Sequence, residues 1–87
     1  MTDEEIIRLG NSAEQILMSE AFKVAMSDLE NYSIECWANG ELKTPQEREE
    51  AYGLVRGART FKGRLEAMLM NMKLSKEKVE KRFDKRR

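Results

Sequence analysis

The chain contains no histidine and only one cysteine. Without histidine, neither a Ser-His-Asp nor a Cys-His arrangement can be assembled. Zinc sites built from clusters of Cys and His are excluded for the same reason. The single thiol, Cys36, cannot close an internal disulfide, which fits a reducing intracellular setting. No apolar run approaches the roughly 18 residues of a membrane span. The acidic start Met1-Thr2-Asp3-Glu4-Glu5 is unlike the basic opening of a secretory signal. Also missing are a Gly-rich phosphate loop and a calcium loop. Strand patterning, internal repeats and low-complexity linkers are absent as well. Carboxylates abound, but Glu47, Glu49 and Glu50 are accounted for by the start of a helix and its dipole. A soluble, intracellular, non-enzymatic protein without cofactor or metal is the expectation.

What is present is helical periodicity. The 87 residues make one domain. Apolar residues recur at 4-3-4-3 spacing as Met18, Phe22, Ala25, Leu29, Tyr32 and Cys36. They recur again as Leu54, Ala58, Phe61, Leu65, Met68 and Met72. Between the ladders stands Thr44-Pro45-Gln46-Glu47, which combines an N-cap, a proline at the first helical position and a capping glutamate. Asn39-Gly40 supplies the preceding stop, and Glu41-Leu42-Lys43 the short link. The spacing predicts long helices over 12–39 and 44–73, packed as an antiparallel hairpin.

Short helices are expected at both ends. Thr2 with Glu5 reads as a capping box opening a helix over 1–11. Gly10-Asn11 predicts a break or kink before a second box, Ser12 with Gln15, with an unbroken helix as the alternative. Leu74 and Val79 flank Ser75 at the spacing of a hydrophobic staple, which predicts a short basic helix over 75–84 and a frayed end over 85–87. If Trp37 lies near Glu47, facing residues have numbers summing to about 84, as the antiparallel order of two helices requires. Leu29 then meets Leu54 or Val55, Phe22 meets Phe61, Asp28 is level with Arg56, and Glu20 with Arg64.

The net charge of zero hides a split. Residues 1–53 hold 4 basic and 12 acidic residues, and residues 54–87 hold 12 and 4. Attraction between antiparallel helices explains this without a ligand, while a nucleic-acid-binding half is the other reading. The basic residues best placed for phosphate contact are Lys76, Lys78, Lys81, Arg82, Lys85, Arg86 and Arg87, whose charge would act without sequence readout.

Glycines inside the second long helix call for a cause, because each costs about 1 kcal/mol against alanine there. Gly53, Gly57 and Thr60 belong to a stripe of small residues beside the ladder, where another backbone can come close. Ile16 and Ile34 point away from the main stripe of the first long helix. Two helices have too few faces to cover all of these positions. The expected fold class is therefore all-α, a two-helix hairpin with short terminal helices assembled into a homo-oligomeric bundle. Ile16, Ile34, Gly53, Gly57 and Thr60 are the candidate contacts with a second copy. Met18, Met68, Met70 and Met72 form a flexible apolar end that fills the core or accepts a foreign protein.

The run Ala21-Phe22-x-x-Ala25, Trp37, Thr44-x-x-Glu47-Arg48-Glu49-Glu50-Ala51-Tyr52-x-Leu54-Val55-Arg56-Gly57-Ala58 and Leu65-x-x-x-Leu69 resembles small helical proteins encoded by tailed bacteriophages and prophages. The resemblance covers residues 13–74 and brings no catalytic motif. It implies a protein of the host cytoplasm or the virion that serves in virion structure and assembly. Its partners would be itself and another phage or host protein. An inhibitor docking on a host protein and a nucleic-acid-binding accessory remain the alternatives.

Overall fold

The computed structural model describes residues 1–38 and 44–85, and among them it is all-α, with no strand. Helix α1 spans Asp3–Met18, α2 spans Glu20–Ala38, and α3 spans Pro45–Lys85. The expected stop and link over 39–43 lie outside the described residues.

Two of the caps read from sequence are in place. The Glu5 N–H donates to Thr2 Oγ1 at 3.2 Å, and α1 starts one residue after Thr2. At the head of α3 the Glu47 N–H donates to Thr44 Oγ1 at 3.2 Å, while Thr44 Oγ1 donates to Glu47 Oε1 at 3.1 Å. These bonds satisfy backbone donors that a helix start otherwise leaves unpaired.

The helices divide elsewhere than expected. α1 does not break at Gly10-Asn11 but runs on to Met18, and Ser12 lies inside it. The break comes at Ser19, which caps α2: the Phe22 N–H donates to Ser19 Oγ and the Lys23 N–H to Ser19 O, both at 3.2 Å. Nor does the second long helix end near Lys73. α3 continues for 41 residues, through the segment read as a separate helix over 75–84. Ser75 is buried in mid-helix, so it is a small packed residue rather than a cap, and Leu74 is exposed.

The described chain forms two units. The first joins Met1–Met18 to Gly63–Arg87. Its core holds Gly10 and Ala13 of α1 with Leu65, Met72 and Ser75 of α3. Gly10 is there because α3 passes against it. A Cβ at that position would fall on Met72 Cβ, lie 2.9 Å from Met72 Cγ and 3.0 Å from the Met68 carbonyl oxygen. The glycine that looked like a helix breaker is a close-packing residue. Arg82 Nη2 pairs with Asp3 Oδ2 at 3.3 Å in the same unit. Of the methionines, Met72 belongs to the core, and Met18 and Met70 are exposed.

The second unit is Ser19–Lys62. Its buried apolar residues are Cys36, Ala51 and Val55, with Phe22, Met26, Leu29 and Ala58 partly buried. Only half of each predicted ladder is used. On α2, Phe22, Leu29 and Cys36 turn inward, but Ala25 and Tyr32 are exposed and Met26 and Ser33 are covered in their place. On α3, Ala58 turns inward, but Leu54 and Phe61 are exposed and Val55 is buried. At about 100° per residue the seam is turned by roughly 40–60° from the expected one. Small residues at 51, 55 and 58 leave room for the longer side chains of α2, as interdigitating layers require.

Candidate protein-docking face

Contacts across the seam of the second unit identify its two edges. Arg59 Nε donates to Glu30 Oε1 at 3.3 Å, and the Arg48 guanidinium lies over the Trp37 ring, 5.8 Å from its centroid. The pairing sets Glu30 rather than Asp28 against an arginine, and Arg59 rather than Arg56 receives it. The turned seam explains this, because it brings Glu30 and Arg59 to a shared edge.

Helical geometry then places the remaining residues, since each step along a helix turns by about 100°. On α2, Glu30 and Trp37 lie to one side of the buried row, and Ala25 and Tyr32 to the other. On α3, Arg48 and Arg59 lie to one side of the buried row, and Leu54 and Phe61 to the other. Because Glu30 touches Arg59 and Trp37 touches Arg48, those sides coincide. Ala25, Tyr32, Leu54 and Phe61 must share the opposite edge. The apolar residues of that edge are uncovered, Leu54 58 % exposed, Phe61 56 % and Tyr32 43 %, and by the same turn the exposed Asp28 of α2 and Glu50 of α3 lie beside them. Gly57 lies just beyond Leu54 on the same side of α3 and is exposed, as is Ala21 beyond Ala25 on α2.

The residues singled out from sequence fall at different places. Gly53, Gly57 and Thr60 are exposed on α3. A Cβ added at Gly53, Gly57 or Gly63 would meet nothing within 4 Å, so the chain's own packing does not require these glycines. Thr60 Oγ1 donates to the Arg56 carbonyl at 2.9 Å, a local bond within the helix. Ile34 is exposed, but it lies on the Glu30–Trp37 side of α2 and not on the apolar edge. Ile16 is exposed in the first unit. The spacing assigns Leu54, Phe61 and Tyr32 to the core, and the structure leaves them exposed. The available signal was that rows 18/25/32 and 19/26/33 both flank Phe22 and Leu29, and one partner helix covers only one of them.

The basic segment is helical. Lys76, Lys78, Lys81 and Arg82 are exposed on α3, and Arg82 is engaged by Asp3. Lys85 lies in the last turn of α3, while Arg86 and Arg87 lie outside the described residues. Among the described residues, no group of three or more His, Cys, Asp or Glu is arranged to hold a metal. No described helix is long and apolar enough to cross a membrane. Compared with known proteins, the chain matches no protein-family model, no curated protein and no solved structure.

Proposed function

We propose that the chain is a non-enzymatic protein-interaction module, a helical hairpin that docks through the Ala25–Tyr32–Leu54–Phe61 edge. The observation that carries this reading is the uneven use of the two ladders. Within the second unit Phe22, Leu29, Cys36 and Ala58 turn inward, while Ala25, Tyr32, Leu54 and Phe61 lie uncovered on one edge. Scattered exposed apolar residues are ordinary, but a contiguous row shared by two helices marks a surface meant for another protein. The opposite edge carries an ion pair and a cation–aromatic contact, beside the exposed Ile34 and Trp37. The resemblance of residues 13–74 to small phage proteins supplies the biological setting of the proposal, an accessory in virion structure or assembly.

Hydroxyl-radical footprinting of the purified chain tests the open edge. Tyr32 and Phe61 are expected to be oxidised in dilute solution, while Cys36, Val55 and Met72 stay protected. Protection of Tyr32 and Phe61 in a folded single chain at every dilution would show that the chain covers them itself, and the docking role would be lost.

A further inference from the structure

We infer that the occupant of this edge is a basic amphipathic helix of a partner protein. The inference rests on the docking reading above and names the chemistry of the partner. The first argument is charge. On α2 the exposed Asp28 and Glu35 stand just beyond Ala25 and Tyr32, and on α3 the exposed Glu50 stands just beyond Leu54. Glu47 lies on the same side of α3, with one carboxylate oxygen accepting from Thr44. The described basic residues of the second unit lie elsewhere. Lys23 falls on the Glu30 side of α2, Arg48, Arg56 and Arg59 fall on the other side of α3, and Lys62 stands in line with the seam at its end. The apolar row is therefore bordered by carboxylates alone, in a unit that holds both signs.

That border selects a partner by sign. Phosphate backbones and anionic bilayers are repelled by it. A second copy set edge to edge would bring carboxylates against carboxylates, and like charges juxtaposed at an interface oppose binding. Lysine or arginine on the partner meets the same groups with the opposite charge.

The second argument is spacing. Residues 25 and 32 lie seven positions apart, as do 28 and 35 on α2 and 54 and 61 on α3. Seven residues of helix rise by about 10.5 Å, close to two turns. A partner helix with apolar residues at i, i+3 or i+4, and i+7 repeats at that interval, so its apolar face follows the row. Its flanking positions then carry the basic side chains that reach Asp28, Glu35 and Glu50. Gly57 gives such a helix room, since an added Cβ there would meet nothing of the chain within 4 Å.

Fluorescence anisotropy of two labelled synthetic peptides, titrated with the full chain, tests this. Both carry the same helical row of leucines, and the flanking positions are lysine in one and glutamate in the other. The lysine peptide is expected to bind at low salt and to protect Tyr32 and Phe61 from oxidation, and the glutamate peptide to bind at least about tenfold more weakly. Asp28→Asn, Glu35→Gln and Glu50→Gln together are expected to weaken the lysine peptide about tenfold and to flatten its salt dependence. Leu54→Ser with Phe61→Ser is expected to weaken it about a hundredfold with the helical signal retained. Ile34→Ser, on the other side of α2, is expected to change nothing. Equal or tighter binding of the glutamate peptide overturns the basic partner and leaves the docking face standing, as does failure of both peptides to bind a chain whose Tyr32 and Phe61 are freely oxidised. A chain that sediments as a dimer with Tyr32 and Phe61 protected overturns it in favour of a second copy. Lysine-peptide binding that survives either set of edge substitutions overturns the choice of edge. Protection of Tyr32 and Phe61 in a folded single chain without peptide overturns the docking reading as well.

Discussion

Replacing Gly10 by alanine separates two effects that act in opposite directions. Removing a glycine from a helix interior is favourable by about 0.8–1 kcal/mol. At Gly10, however, the new methyl would fall on Met72 Cβ and lie 3.0 Å from the Met68 carbonyl oxygen. Neither obstacle is the free end of a flexible side chain. Both are tied to the backbone of α3, so α1 and α3 must move apart around Ala13, Leu65 and Met72. Overpacking of this kind costs about 1–3 kcal/mol, and a fixed obstacle belongs at the upper end. Gly10→Ala is therefore expected to destabilise by about 1–2 kcal/mol net. Gly63→Ala is the matched control, because its methyl would meet nothing within 4 Å. It should stabilise by about 1 kcal/mol through propensity alone. Urea unfolding followed by far-UV circular dichroism, at one protein concentration, reads the difference. If Gly10→Ala stabilises as much as Gly63→Ala does, then α3 does not pass close to Gly10 and the account of the first unit is wrong.

Thr44→Ala removes the hydroxyl that accepts from the Glu47 N–H and donates to the Glu47 carboxylate, and should cost about 1 kcal/mol in the same unfolding assay. No change would mean that the head of α3 is not fixed by its cap. Cys36 is 2 % exposed, so its reaction with a thiol reagent should be slow and should accelerate in step with urea-induced opening. Reaction at the rate of a free thiol in native conditions would contradict a buried position on α2. Lys78→Gln with Lys81→Gln should leave the helical signal intact, and titration of the wild type with labelled duplex DNA at low salt should show no saturable binding. Binding that weakens steeply with salt and is lost in that variant would transfer the function to phosphate recognition.

The helical class and two of the helix starts were legible because they depend on neighbours in sequence. Thr2 and Thr44 each stand three residues before the group they bond, so the signal and its target appear together. The break at Ser19 was not legible in that way. Ser19 interrupts no ladder, and Ser12 and Ser75 carry cap-like patterns just as good. Whether a serine caps a helix or packs inside one depends on what crosses it, and that is tertiary information. Gly10 shows the same ambiguity: a breaker by propensity, it is retained because α3 needs the space. The rows flanking Phe22, Leu29 and Ala58 posed a further choice. A helix turns by about 100° per residue, so rows at one step either side of a buried row are equally well placed to face a partner. Spacing picked out Phe22, Leu29, Cys36 and Ala58, which turn inward, and could not say which flank the chain would cover. The uncovered flank holds Leu54, Phe61 and Tyr32, which the spacing reads as core.

Footprinting of the folded chain across a dilution series addresses the central claim most directly. At the lowest concentration that keeps the full helical signal, Tyr32 and Phe61 should be oxidised readily while Cys36 and Val55 stay protected. Protection of Tyr32 and Phe61 in a folded single chain at every dilution would contradict the account.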